Sequence, residues 1–177
     1  MFKRLFGGNP ARQSGLALYN ACAAHARTPD FYARWGVPDT VEGRFEIYAL
    51  HVILVLARLK GQGEQASEVG QALFDSLLRG LDDGLREMGV GDLSVGKKMR
   101  KLGEALYGRA RNATEALEGL PDRGALERFL KRTVYAQAPD ADTSALTDWV
   151  IKAHSALADQ DLSALLAGQA SFAEVNG

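Results

Sequence analysis

Residues 41–60 read VEGRFEIYALHVILVLARLK and contain the longest apolar run of the chain. Apolar side chains fall on nearly all sides of a helix with this sequence, which is typical of a helix surrounded by other helices. Charged and polar residues interrupt the run, so it lacks the roughly 18 consecutive apolar residues of a membrane-spanning helix. We therefore predict a buried central helix over about residues 41–60.

The rest of the chain also shows helical patterns, because apolar residues recur every 3.6 positions and alternating strand patterns are scarce. Five more helices are predicted, over about residues 13–26, 67–88, 95–118, 122–136 and 144–157. A last helical turn starts at Asp161. Because short connections between amphipathic helices favour a bundle, we predict a single compact all-α domain of about six helices over residues 1–177.

Composition agrees with one ordinary globular domain: 177 residues, of which 46% are hydrophobic and 24% are charged. Residues 1–12 are expected to form a flexible basic and apolar segment, and residues 119–177 the C-terminal helices and an acidic tail. The opening MFKRLFGG lacks the apolar core and cleavage site of a secretory signal, which favours a cytoplasmic location.

The chain has one cysteine, Cys22, so the fold does not depend on an internal disulfide. His25 follows three residues later, but two ligands do not make a zinc site and no second pair follows. We interpret Cys22 as a small buried apolar residue. The sequence predicts neither a metal site nor a cofactor.

The net charge of −1 hides two oppositely charged stretches. Residues 97–111 carry six basic side chains against one glutamate, a local charge of +5, and residues 139–174 carry six acidic side chains against one lysine, a local charge of −5. The basic side chains are Lys97, Lys98, Arg100, Lys101, Arg109 and Arg111. They are interpreted either as a solvated helix face or as a patch that meets phospholipid head groups, RNA or an acidic protein.

Two groups of aromatic residues lie outside the long helices. Phe2 and Phe6 flank basic residues in a short amphipathic segment, which alone would bind a membrane surface only weakly. Phe31, Tyr32 and Trp35 lie in a connection between helices. Such residues either staple the connection to the core or offer an anchor to a partner protein.

The central helix carries one polar strip, which includes Arg44, Tyr48 and His51. Buried polar groups need partners, and the next helix offers charges of alternating sign at helical spacing. We predict a structural polar network formed by Arg44, Glu46, Tyr48, His51, Asp75, Asp82 and Arg86. The alternative is a catalytic or metal pair of His51 with an aspartate, although His25 and His154 lie in distant elements.

The motifs of common enzymes are absent, so the sequence predicts no catalytic residue. Residues 91–98, GDLSVGKK, come closest to a phosphate-binding loop. Such a loop needs a hydroxyl residue where Lys98 stands, and it follows a strand rather than a helix. We therefore interpret these glycines as a turn between two helices.

Several strings in residues 19–118 resemble the ubiquinol–cytochrome c chaperone family. They are FYARWGVPDTVEGRFE at residues 31–46, Leu50-His51, LFD at residues 73–75, LREMGVGDLSVGKKM at residues 85–99 and YGR at residues 107–109. The resemblance implies an assembly factor of the cytochrome bc1 complex (respiratory complex III) that binds cytochrome b, with no small-molecule substrate. It implies a bacterial-type member at the inner face of the cytoplasmic membrane, with the membrane and the ribosome as further candidate partners.

The resemblance also gives the surface residues a role as contacts with the client or the membrane. The expected contact residues are Phe2, Phe6, Phe31, Tyr32, Trp35, Lys97, Lys98, Arg100, Lys101 and Arg109. Two other functions stay open. A helical adaptor would bind the ribosome or RNA through residues 97–111, and an unrecognised enzyme would use His51 with Asp75 or Asp82 in a deep pocket.

Overall fold

The computed structural model describes residues 9–175, except for the side chains of Asp92 and Leu93. The helices in chain order are α1 (Pro10–His25), α2 (Asp30–Ala33), α3 (Val41–Leu59), α4 (Glu64–Glu87), α5 (Asp92–Glu118), α6 (Gly124–Arg132), α7 (Ser144–Asp159) and α8 (Leu162–Leu166). Residues 9–175 contain no strand. The predicted all-α bundle is therefore confirmed, with six substantial helices and the short α2 and α8.

Helix α3 lies at the centre of the bundle, where it packs against α1, α4, α5 and α7. It begins after Thr40, whose hydroxyl oxygen accepts a hydrogen bond from the Gly43 amide at 3.1 Å. All six side chains of residues 50–55 are buried, as the all-round apolar pattern of this stretch predicts. The prediction of a buried central helix is confirmed.

Several helix ends differ from those expected from sequence. Helix α1 already begins at Pro10, because proline suits the first helical position and the Asn9 side chain accepts from the Ala11 amide at 3.0 Å. Helix α5 begins at Asp92 rather than near residue 95, so the loop before it is shorter than predicted. Gly89 makes that tight turn with a φ of 81°. Helix α6 ends at Arg132, four residues early.

The C-terminal stretch completes the core instead of extending from it as a tail. Trp149 of α7 donates from Nε1 to the carbonyl oxygen of Ala173 at 2.9 Å. Val175 is buried, and Phe172 packs against the core. This arrangement brings Phe172 next to His51 of α3, which α1 also contacts.

In the part of the chain that the structure describes, no helix combines the length and the apolar character needed to cross a bilayer.

Candidate functional site

The connection that contains α2 is stapled to the core. Phe31 has no exposed surface, and its ring meets those of Trp149 and His51 edge to face, with centroids 5.0 and 5.6 Å apart. The Tyr135 hydroxyl donates to the carbonyl oxygen of Trp35 at 2.8 Å. Phe31 was expected to contact a client, and this expectation is wrong because the side chain is enclosed. Tyr32 and Trp35 remain half-buried at the surface.

A pair of histidines lies beneath this connection. His25 Nδ1 lies 2.9 Å from His51 Nε2, and His51 Nδ1 lies 2.7 Å from the carbonyl oxygen of Ile47. Burial lowers the pKa of His51 to about 3, and it also lowers the pKa of His25. His25 was expected to lie far from His51. This expectation is wrong, because α1 crosses α3 and brings the two imidazole rings into contact.

Glu46 and Arg109 form an ion pair that joins α3 to α5. Arg109 Nη2 and Nε lie 2.6 and 3.0 Å from the two carboxylate oxygens of Glu46, and the two side chains are 28% and 11% exposed. The guanidinium also lies 6.0 Å from the centre of the Phe45 ring. The sequence placed Arg109 among the expected contacts with the client or the membrane, and the structure shows that Glu46 neutralises its charge and that most of its side chain is covered.

Arg44 and Tyr48 do not join the predicted network. Arg44 lies at the surface, where Nε is 2.5 Å from Asp39 and the guanidinium stands 4.8 Å above the centre of the Tyr32 ring. The Tyr48 hydroxyl is buried and has no hydrogen-bond partner within residues 9–175. The polar residues of α3 therefore lie in different surroundings and do not form one network.

The charged residues of α4 form local contacts along their own helix. Asp75 accepts from Gln71 at 2.8 Å, and Asp82 accepts from Arg86 at 2.7 Å. No hydrogen bond or ion pair within the described residues joins these aspartates to His51, which is completely buried. The predicted network across α3 and α4 is therefore wrong. The alternative of a His51–aspartate pair is wrong for the same reason. Residues 9–175 also contain no cluster of three or more histidine, cysteine, aspartate or glutamate residues able to hold a metal.

The first half of α5 presents a basic face to solvent. Lys97, Lys98, Arg100 and Lys101 are exposed, and none makes an ion pair with a residue that the structure describes. We call these four residues the basic face. Phe2 and Phe6, the other expected membrane contacts, lie outside the described residues.

An apolar surface feature on α5 was not expected from the sequence. Tyr107 is 61% exposed, its ring centre is 4.7 Å from that of Phe74, and cavities of about 300 and 600 Å³ flank it. Leu56 and Ala110 line both cavities. We call this surface the Tyr107 trough. Tyr107 lies off the apolar stripe of α5, and that position was the one available signal of a surface aromatic.

Charges at the edge of the trough pair with one another. Lys60 Nζ lies 3.6 Å from Glu118, and Arg111 Nε lies 3.8 Å from Glu115. These pairs are exposed and contribute little stability, but they leave the edge without net charge. The trough therefore offers a neutral apolar surface on the helix that also carries the basic face.

Known proteins resemble this chain in sequence and in structure. A family model described as "Ubiquinol-cytochrome C chaperone" matches residues 33–172. Ubiquinol-cytochrome-c reductase complex assembly factor 1 of Xenopus laevis is 23% identical over 94 residues, which are 53% of this chain and 47% of the frog protein. The mouse protein of that name is 26% identical over 124 residues, which are 70% and 41% of the two chains. The chain thus spans less than half the length of these relatives.

The comparison of folds extends over nearly the whole chain. The crystal structure of the Cbp3 homolog from Brucella abortus superposes with a TM-score of 0.84 at 33% sequence identity. The match covers 94% of this chain and 92% of the Brucella chain.

Proposed function

This chain belongs to the ubiquinol-cytochrome C chaperone family, and from that premise we propose that it holds cytochrome b during assembly of the cytochrome bc1 complex. The observation that carries the proposal is the family match over residues 33–172, together with 33% identity to a bacterial homologue over 94% of the chain. The relatives of the frog and the mouse are named as assembly factors of the same complex. The family is one of chaperones and not of enzymes.

The surface of α5 supports contact with such a client. Cytochrome b is a membrane protein, so its chaperone must cover apolar helices while the client is outside its final complex. The Tyr107 trough offers a neutral apolar surface of the kind that an apolar helix fits, and exposed tyrosines are common anchors at interfaces. We assign the client helix to this trough, with Tyr32 and Trp35 as further contacts.

The basic face gives a second contact. Lys97, Lys98, Arg100 and Lys101 extend from α5 without partners among the described residues, and each lysine or arginine near an anionic membrane contributes about 1 kcal/mol. We place the working protein at the cytoplasmic face of the membrane, where the basic face meets anionic phospholipid. Ribosomal RNA is the alternative partner of the same charges.

Crosslinking from defined positions tests the proposal. A photoreactive amino acid at Tyr107, Trp35 or Lys98 is expected to trap cytochrome b in native membranes, whereas the same group at exposed Ser155 of α7 should not. Capture of ribosomal protein or RNA without cytochrome b would contradict the proposed chaperone function and favour a helical adaptor for the ribosome or RNA. Equal capture from Ser155 would show that the adducts do not report a specific surface.

Charge reversal tests the basic face separately. Replacing Lys97, Lys98, Arg100 and Lys101 with glutamate is expected to abolish binding to vesicles that contain phosphatidylglycerol, while circular dichroism remains that of the wild type. The matched control reverses four other exposed basic residues, Arg12, Lys131, Arg132 and Lys152. Equal loss in both variants would mean that overall charge and not the basic face determines binding.

A further inference from the structure

A separate cavity of about 330 Å³ lies between α1, α3 and α4. Its lining contains three tyrosines and two arginines but no carboxylate, together with small and apolar residues. We call it the tyrosine pocket; its main residues are Tyr19, Arg27, Tyr32, Arg44, Phe45 and Tyr48. Its volume falls within the range of about 300–1,000 Å³ that is usual for small-molecule sites. Neither the Tyr107 trough nor the basic face includes any of these residues.

The cations at this pocket are not fully neutralised. Arg27 is exposed just after the end of α1 and makes no ion pair with any residue within 9–175. Arg44 is paired with Asp39, and its guanidinium is held above the Tyr32 ring. The Tyr32 hydroxyl donates to the carbonyl oxygen of Ala26 at 2.7 Å, which fixes that ring as a wall. The pocket therefore has a net positive charge.

The pocket wall also contains a hydroxyl group without a partner. Tyr48 Oη is buried, and burial, with Tyr19 as a close neighbour, raises the pKa of Tyr48 far above neutral pH. The two rings meet edge to face at 5.4 Å, yet Tyr48 Oη has no hydrogen-bond partner of acceptable geometry among the described residues. Because the Tyr48 hydroxyl is covered by its neighbours, the exposed Arg27 and Arg44 and not this group are the polar contacts open to a ligand.

A glycine shapes the far wall. A methyl group at Gly80 of α4 would overlap the Tyr19 hydroxyl, so glycine is what lets this ring stand beside the cavity. The lining also has an apolar part, which contains Val41, 68% exposed, and the half-buried Phe45 and Leu81. Polar and apolar parts of the lining are thus next to each other.

We propose that the tyrosine pocket binds an amphiphilic anion of fatty-acid or phospholipid type. The carboxylate or phosphate lies against Arg27 and Arg44, and the acyl chain lies along Phe45, Leu81 and Val41. An acyl chain suits these walls better than an extended peptide does, because the helices use their backbone groups internally and an acyl chain needs no hydrogen bonds. This site is separate from the Tyr107 trough and from the basic face, and it shares only Tyr32 with the proposed client contacts.

Binding of decanoate to the full chain tests the proposal, by calorimetry below the micelle concentration. We expect saturable binding at one site and shifts of the Arg27 and Gly80 amide signals in NMR spectra. Decanol and decyltrimethylammonium should bind at least about tenfold more weakly, because they lack the anion. Equal binding of decanol, or shifts confined to other parts of the protein, would overturn the proposal.

Variants localise the site. The double variant Arg27→Gln/Arg44→Gln is expected to weaken decanoate binding about tenfold or more, and Leu81→Trp should block the apolar part. Arg12→Gln, which removes an exposed arginine outside the pocket, is the matched control for charge. Thermal unfolding of each variant checks that the fold is retained. Unchanged binding in both folded pocket variants would contradict the proposal.

Two further experiments distinguish a phospholipid from a free fatty acid as the ligand. Binding of a short-chain phosphatidylglycerol, dissolved below its micelle concentration, that is lost in Leu81→Trp but kept in the basic-face variant would identify a phospholipid. Binding of free decanoate without binding of this soluble phospholipid would identify a free fatty acid. Binding of a short apolar peptide with a terminal carboxylate, in the absence of decanoate binding, would overturn the assignment in favour of a protein ligand.

Discussion

His25 Nδ1 donates a hydrogen bond of 2.9 Å to His51 Nε2, and this bond joins α1 to α3 inside the core. The direction follows from the second nitrogen of His51, because Nδ1 faces the carbonyl oxygen of Ile47 at 2.7 Å and a carbonyl only accepts. A neutral His51 therefore carries its proton on Nδ1 and accepts from His25 at Nε2. Trp149 stacks on His25 with ring centres 5.7 Å apart, and Phe172 also contacts both imidazoles.

The histidine pair predicts a loss of stability in mild acid. The pKa of His51 falls from 6.5 to about 3 on folding, so below pH 6.5 the unfolded chain binds a proton that the folded chain does not. Stability must then decrease as the pH falls, by about 1.4 kcal/mol per pH unit for this residue. The contribution lost between pH 7.5 and pH 5 is about 2 kcal/mol. Urea unfolding at a series of pH values measures it.

Variants assign this pH dependence to His51. The slope of unfolding free energy against pH should decrease in His51→Gln, even though the variant starts from a lower stability at pH 7.5. His154→Gln changes a half-buried histidine of α7 and serves as the control that should retain the slope. A His51→Gln protein with the wild-type slope would be evidence against a neutral buried His51.

The Glu46–Arg109 ion pair predicts an unequal effect of two arginine substitutions on the same helix. Arg109→Gln should lower the free energy of unfolding by about 1–3 kcal/mol, because it leaves a mostly buried carboxylate without its bidentate partner. Arg111→Gln removes an exposed side chain 3.8 Å from Glu115 and should cost less than about 0.5 kcal/mol. Urea unfolding at constant pH compares the two variants, and equal losses would contradict the structural distinction.

Sequence alone predicted the elements better than their contacts. The all-round apolar pattern of residues 41–60 indicated the central position of α3, because burial of a whole helix leaves that signature. The same pattern shows which residues share a helix face but not which neighbouring helix they meet. Arg58 illustrates this limit, since it donates to the carbonyl oxygens of Leu157 and Gln160, about 100 positions away in the chain.

The candidate site shows the same limit. Charged residues of the basic face were correctly placed on a solvent-facing helix, since charge at helical spacing is a local property. The partner of Arg109 and the neighbour of His51 depend on how helices cross, which no local pattern contains. Exposure of Tyr107 likewise depends on the space left between α3, α4 and α5.

The reaction of the Cys22 thiol with a reagent is expected to report on opening of the core. Cys22 is completely buried, as expected from sequence, and burial raises the pKa of its thiol. Because the thiolate is the reactive form, native protein should react with a thiol reagent only as fast as the core opens. Labelling should become complete at once in concentrated urea. A Ser155→Cys variant, with an exposed second thiol, should take up one equivalent rapidly in the native state; rapid labelling of wild-type Cys22 would contradict its burial.

Two glycines on the paired helices α1 and α4 predict opposite effects of the same substitution. A Cβ atom at Gly15 would lie 2.6 Å from backbone atoms of Ala72 and Leu73, so α1 and α4 approach each other through this glycine. Backbone cannot move aside as a side-chain tip can, and Gly15→Ala should destabilise the protein by about 1–3 kcal/mol. At Gly84 a Cβ meets no atom within 4 Å, and alanine is the better helix former. Gly84→Ala should therefore stabilise the protein by about 0.5–1 kcal/mol.

The comparison of these glycine variants isolates the packing of α1 on α4, because both exchange the same two residues within a helix. Midpoints of urea unfolding, together with the slopes of the transitions, measure the two effects under identical conditions. Destabilisation in Gly15→Ala with stabilisation in Gly84→Ala is the expected pattern. Stabilisation in both variants would mean that α1 can move away from α4 at little cost, and the close helix contact would then not determine the packing of this pair.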